Sequence, residues 1–176
     1  IVEATNQSIL ELSQEAVSLL AWSVEQLGDN FAIAGFNSNT REKVMYYHIK
    51  GYSEHWDDTV KARLANLKAE YSTRMGAAIR HGTHYLNLQK SDKKLMLILT
   101  DGEPSDIDVN DSEMLIKDTH KAVQECQQKG MYPYCISLDN KADEYISDVF
   151  GSHYSVIDRI ESLPKELPQL FLSLTK

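Results

Sequence analysis

The sequence is poor in several features that would settle its class at once. Cysteine occurs only twice in 176 residues, at Cys126 and Cys135. Neither position suits a metal-ligand spacing, so both are expected to be buried free thiols of a reducing compartment. Basic residues are also scarce, with 18 Lys and Arg against 26 Asp and Glu and a formal charge of −8. That balance argues against a broad footprint for nucleic acid or an anionic membrane and favours a partner protein with a basic patch. No apolar run approaches the roughly 20 residues of a membrane span, and the first residues do not form a signal peptide. The expectation is a cytoplasmic chain that is a piece of something larger.

The motifs of several enzyme classes are missing too. A run of the form Gly-x-x-x-x-Gly-Lys-Ser/Thr would cradle phosphates with stacked backbone N–H groups, and the chain has none. It also lacks the Gly-x-Gly-x-x-Gly of a dinucleotide site and the Gly-x-Ser-x-Gly elbow that exposes a serine nucleophile. His81 and His84 stand three apart with no third ligand nearby, which suits solvated side chains better than zinc. Asp106-Ile107-Asp108-Val109-Asn110 begins like a calcium loop. Asp111 then stands where the sharp turn needs Gly, and Lys117 where a bidentate Glu is needed, so the run reads as a solvated acidic rim.

What is present is organised around Lys94 to Asp106. Leu95-Met96-Leu97-Ile98-Leu99 predicts a strand buried on both faces, in the middle of a parallel sheet, and Thr100-Asp101-Gly102-Glu103-Pro104 follows at its carboxyl end. Ligands of open α/β sheets bind outside that end, and Thr100 and Asp101 offer the hard oxygens that Mg²⁺, Mn²⁺ or Ca²⁺ prefer. A turn that merely ends a strand is the alternative.

In chain order, apolar spacing predicts a helix over Ser8–Leu27 closing on Gly28, then a strand over Phe31–Phe36 and a polar loop at Asn37-Ser38-Asn39-Thr40. Lys43–Ile49 reads as an edge strand. Asp57 or Asp58 caps a helix running towards Tyr71. Ser72 or Thr73 opens the next helix through Ala77, Ile79 and Leu88. After the central strand come a helix through Ile116 and Val123 ending near Gly130, a strand over Tyr132–Leu138, a short helix over Ala142–Phe150, a strand over Tyr154–Ile157 and a closing helix over Pro164–Leu174. Alternating strands and helices predict one α/β domain over residues 1–176, with a doubly wound, mainly parallel sheet flanked by helices. The chain opens on a helix, although such a domain normally feeds its first helix from a buried strand. A first strand upstream of Ile1 is therefore expected.

Thr100-Asp101-Gly102 after a buried strand and Ser72-Thr73-Arg74-Met75-Gly76 before a helix, in this order, resemble a von Willebrand factor A (VWA) domain. Phe36-Asn37-Ser38-Asn39, Leu99 to Val109, Cys135 to Asp139 and Leu163 to Pro168 add a likeness to the carboxy-terminal A domain of the CbbO rubisco-activation adaptor family. The NorD nitric-oxide-reductase activation proteins are similar. The resemblance implies a metal-ion-dependent adhesion site (MIDAS) in which Thr73 and Asp101 are metal ligands for Mg²⁺ (or Mn²⁺ or Ca²⁺). It also implies an upstream Asp-x-Ser-x-Ser that this sequence does not contain. Ser38, Arg74, Glu103, Asp106 and Asp108 would form the partner-binding rim. The partners implied are a MoxR-type AAA+ ATPase and a target enzyme such as rubisco, engaged through an acidic residue, and the module would not be an enzyme. Two other readings stay open: a metal-dependent hydrolase or phosphatase using Asp101, and a structural A domain with a vestigial metal site.

Overall fold

The computed structural model describes residues 2–40, 43–67, 75–100, 112–138, 145–157 and 159–175. In order these form α1 (Val2–Leu27), β1 (Ile33–Thr40), β2 (Lys43–Lys50), α2 (Asp58–Ala65), α3 (Met75–Asn87), β3 (Leu95–Thr100), α4 (Ser112–Gln128), β4 (Tyr132–Ser137), α5 (Ile146–Phe150), β5 (Tyr154–Val156), a 3₁₀ turn at Ile160–Ser162 and α6 (Leu163–Leu174). The sheet β3-β4-β5 is parallel and flanked by helices, which is the expected α/β architecture. The chain divides into two compact units, one of residues 1–35, 47–70 and 159–176, the other of residues 36–46 and 71–158.

The second unit carries the parallel sheet. Leu95 to Thr100 stand opposite Tyr132 to Ser137 without a bulge, and the ladder extends at both ends through Tyr132 N–H to Lys94 O (2.8 Å) and Leu138 N–H to Thr100 O (2.9 Å). Even-numbered residues of β3 therefore point their backbone groups at β4. Pro133 is tolerated inside β4 because its missing N–H lies on the β5 side, and β5 begins only opposite Cys135. On one sheet face Ile98 and Cys135 join Met75, Ile79, Val123 and Ile146 in a core that α3, α4 and α5 cover. Burial pushes the Cys135 thiol up to about 12, so it stays protonated, and both cysteines are free thiols as expected.

Helices α3 and α4 approach closely where Gly76 faces Asp118, and a Cβ at position 76 would run into Asp118 Oδ2. That carboxylate is fixed from the other side: Arg80 donates Nη1 to Asp118 Oδ1 (2.9 Å) and Nε to Glu125 Oε2 (3.0 Å). Asp118 and Glu125 are seven apart, which stacks them two turns from each other along one face of α4.

In the first unit, α1 packs against α6 and α2. Asp57 caps α2 by accepting the Val60 N–H (3.0 Å), and Gln14 of α1 donates to the carbonyls of Leu64 (2.9 Å) and Leu67 (3.0 Å) at and just past its other end. Ile49, Val60 and Leu64 form the core here. Beside it Lys50, only 2% exposed, donates to Phe31 O (2.8 Å) and Gly51 O (3.0 Å), with its ammonium 4.0 Å from the Phe31 ring centre. Desolvation lowers its pKa, against the raising pull of Glu25 and Glu54. Glu54 is held below the usual carboxylate range, first by the Gly51 N–H (2.9 Å) and then by Arg63 (2.8 Å).

Three expectations need correction. Asn37 to Thr40 are strand rather than loop, because pairing of β1 with β2 satisfies their backbone whatever the side-chain polarity. Helix α2 stops at Ala65, where the Asn66 N–H turns back to Ala62 O, short of the predicted run towards Tyr71. The third correction concerns β3, which is an edge strand among the described residues, because β1-β2 and β3-β4-β5 form separate sheets.

Two measurements check these packing arguments. Gly76→Ala is expected to lower stability in urea unfolding by about 1–3 kcal/mol, despite the roughly 1 kcal/mol by which Ala favours a helix over Gly. Gly82→Ala, whose Cβ would press on the flexible Met96 Cε at 3.2 Å and touch Tyr46 Oη at an ordinary 3.5 Å, should change stability far less. Glu54→Gln should destabilise the protein at pH 7. The depressed carboxylate pKa contributes stability above the unfolded Glu range and loses it as pH falls through the folded value, so wild type and variant should converge in melts near pH 3.

Candidate functional site

The carboxyl ends of β3 and β4 are the place where the sheet can present chemistry. Thr100 closes β3 and stands opposite Ser137, which closes β4; they are 7% and 0% exposed. The ladder continues past both, through Leu138 N–H to Thr100 O and Ile157 N–H to Ser137 O (each 2.9 Å), so the backbone entering the Asp101 segment is fixed on its strand side. Met75, the first residue of α3, is buried in the same core as Ile98. Ser112 opens α4 directly after the acidic run.

Phe36 on β1 packs against this core too. The next residue, Asn37, is 7% exposed, and its Oδ1 is buried without a hydrogen-bond partner among the described residues. A buried amide oxygen left unpaired costs on the order of 1–3 kcal/mol, so this atom stands out as an acceptor in want of a donor. Residue type and motif order give Asn37 no role. The signal available in the sequence is a polar residue directly after an apolar strand run.

Of the sequence-predicted site residues, Thr73, Arg74, Asp101, Glu103, Asp106 and Asp108 lie outside the described residues. Ser38 lies on β1, and its side chain is outside them as well. The structure thus fixes the residues that flank the predicted ligands, Thr100 ahead of Asp101 and Met75 after Arg74. Among the described residues no group of three or more His, Cys, Asp or Glu side chains is arranged to hold a metal. Of the described side chains that close the two strands, Thr100 and Ser137 carry hydroxyl oxygens, the donor type that a hard cation prefers.

Other polar features lie elsewhere. An open cleft of about 210 Å³ is lined by Arg80, Thr83, Ala122, Glu125 and Lys129, with Arg80 committed to its two carboxylates. In the other unit a cleft of about 310 Å³ has Lys50, Glu25, Glu54 and His55 in its wall. His81 lies tilted against the rings of Tyr46 (4.5 Å between centres) and Tyr85 (5.2 Å). No helix among the described residues is long and apolar enough to cross a membrane.

Comparison with known proteins agrees with this geometry. The family model described as "von Willebrand factor type A domain" matches residues 3–161. Relatives include an uncharacterized protein of Pseudomonas aeruginosa, 34% identical over 96% of the chain, and Protein NorD of Brucella melitensis, 35% identical over 96% of the chain. Protein NorD of Stutzerimonas stutzeri is 35% identical over 85% of the chain. The chain spans 28%, 27% and 24% of the lengths of these three relatives. A solved structure described as von Willebrand factor type A from Catenulispora acidiphila superposes with a TM-score of 0.62 at 17% identity, covering 92% of this chain and 37% of that one. The match over most of the chain, and the parallel sheet that delivers Thr100 to the edge where Asp101 follows, establish that this chain belongs to the von Willebrand factor type A domain family.

Proposed function

We propose that the chain is a protein-binding adaptor module rather than an enzyme, acting through a metal-ion-dependent adhesion site at the carboxyl end of β3. The observation that carries this reading is the buried, ladder-fixed end of β3, from which Thr100 leads straight into Asp101, in a chain of the VWA family. Thr73 and Asp101 would hold Mg²⁺, or Mn²⁺ or Ca²⁺, together with an Asp-x-Ser-x-Ser segment from outside these 176 residues. A cation bound there supplies a coordination position for a carboxylate of the partner. Ser38, Arg74, Glu103, Asp106 and Asp108 form the rim around that contact, and its acidic members favour a partner whose carboxylate is ringed by basic groups.

On this reading the adaptor presents a target enzyme to a MoxR-type AAA+ ATPase in the cytoplasm. Family likeness supports two targets, a rubisco-like enzyme for a CbbO-type adaptor and nitric oxide reductase for a NorD-type one. The relatives that carry the name Protein NorD lend weight to an adaptor of this general kind.

Titration calorimetry of the full-length polypeptide with Mn²⁺ tests the assignment. Thr73→Ala and Asp101→Ala should each weaken Mn²⁺ binding at least tenfold, about 1.4 kcal/mol, with the far-UV circular dichroism unchanged. Undiminished binding in both variants would remove the site from this end of the sheet.

A further inference from the structure

Helix α1 has one face that no other described element covers. Between residues 10 and 26 its exposed positions are Glu11, Glu15, Leu19, Trp22 and Gln26, and spacings of four and three line them up in one stripe about 22 Å long. Ala16, Ala21 and Val24 are buried on the opposite side of the helix. Leu19 is 44% and Trp22 58% exposed, so an indole and a leucine one turn apart stand together in water.

Charge sets this face apart as well. The 26 residues of α1 include glutamates but no lysine, arginine or histidine, whereas α2, α4 and α6 each expose a lysine, at Lys61, Lys117 and Lys165. Glu25 pairs with His55 (3.2 Å), but Glu11 and Glu15 have no cationic partner among the described residues. These two carboxylates are four apart, a like-charged arrangement that weakens a helix until a cation relieves it.

We propose that this stripe is the docking face for a basic amphipathic helix of a partner protein, lying antiparallel along α1, with two apolar residues against Leu19 and Trp22 and two cations against Glu15 and Glu11. A helix presents anchors at the same three- and four-residue spacing as the stripe, and tryptophan is among the residue types that anchor interfaces. The midpoints of the acidic and apolar pairs are about 11 Å apart, so the partner's apolar and basic pairs must be separated by about two turns. The antiparallel direction opposes the two macrodipoles and puts the partner's cations towards its own carboxyl end, where they are favoured. An anionic membrane is repelled by the glutamates. A second copy of the stripe would set carboxylate against carboxylate, or carboxylate against indole, so it is a poor occupant. The proposal uses neither Thr73 nor Asp101 and does not rest on a bound cation.

Fluorescence anisotropy of a labelled peptide titrated with the full-length polypeptide tests it. The peptide is an Ala/Gln helix with two leucines one turn apart and, about two turns later, two arginines one turn apart. A second peptide carries glutamates in place of the arginines. The arginine peptide should bind, and Trp22→Ser should weaken it about tenfold or more with the far-UV circular dichroism unchanged. Glu11→Arg combined with Glu15→Arg should weaken it about fivefold or more and make the glutamate peptide the better ligand. Binding should persist in EDTA, and hydroxyl-radical footprinting should find Trp22 oxidised in the free polypeptide and protected by the arginine peptide. Absent binding, undiminished binding in either variant, or an unreversed preference after the charge swap would overturn the proposal. Binding lost in EDTA would place the peptide at a cation site. Trp22 already protected in the free polypeptide would mean that another part of the same chain or a second copy covers the stripe. Either result would likewise overturn it.

Discussion

The parallel ladder between β3 and β4 is the interaction on which the rest of the second unit depends. Each rung satisfies backbone groups that would be costly to bury unpaired, and the in-register run lets two apolar segments lie flat enough for α3, α4 and α5 to cover one face. The ladder also aligns Thr100 with Ser137, so both strands end at a common level. Closing α3 against α4 then requires the absent side chain at Gly76, and the Arg80 pairings with Asp118 and Glu125 tie that contact from outside. These pairs are partly exposed, so they matter more for registering the two helices than for stability.

Much of this is legible in the sequence because period and punctuation agree with the packing. The apolar run at Leu95–Leu99 is a parallel strand, Gly28 and Gly130 end α1 and α4 with positive φ, and Asp57 caps α2. Sequence and structure part where tertiary pairing outweighs local composition. Asn37 to Thr40 look like a loop by residue type, yet strand pairing with β2 recruits them, since a ladder rewards the backbone and is indifferent to polar side chains at a sheet margin. The orphaned Asn37 oxygen is invisible in the sequence, because burial of a single amide depends on elements distant along the chain. The arrangement of sheets is equally hidden: an apolar strand announces that it is buried, not how many neighbours it has.

For the site, motif order names Thr73 and Asp101, and the fold fixes the residues that flank them. Strand pairing fixes the backbone up to Thr100, and core burial of Met75 fixes it from the start of α3, so the described chain on either side of the predicted ligands is rigidly supported. Such mounting suits a contact that must be geometry-specific yet reversible, since the scaffold loses little conformational freedom when a partner arrives. The net charge of −8 has a complementary effect at longer range, favouring partners whose approaching surface is basic.

The central claim is that the chain's binding chemistry sits at the carboxyl end of β3, and the methionine methyl groups report on it directly. Asn87, the last residue of α3, accepts from Lys94 just ahead of β3 (3.4 Å), so this helix, about 20 Å long, carries its first residue Met75 towards the carboxyl end, whereas Met131 precedes β4 at the opposite end, about 20 Å away along the strand. Methyl spectra of the full-length polypeptide, labelled at methionine and titrated with substoichiometric Mn²⁺, separate the two by paramagnetic broadening. The account predicts that the Met75 resonance broadens first while Met131 stays sharp; broadening of Met131 ahead of Met75, or of both equally, would contradict it.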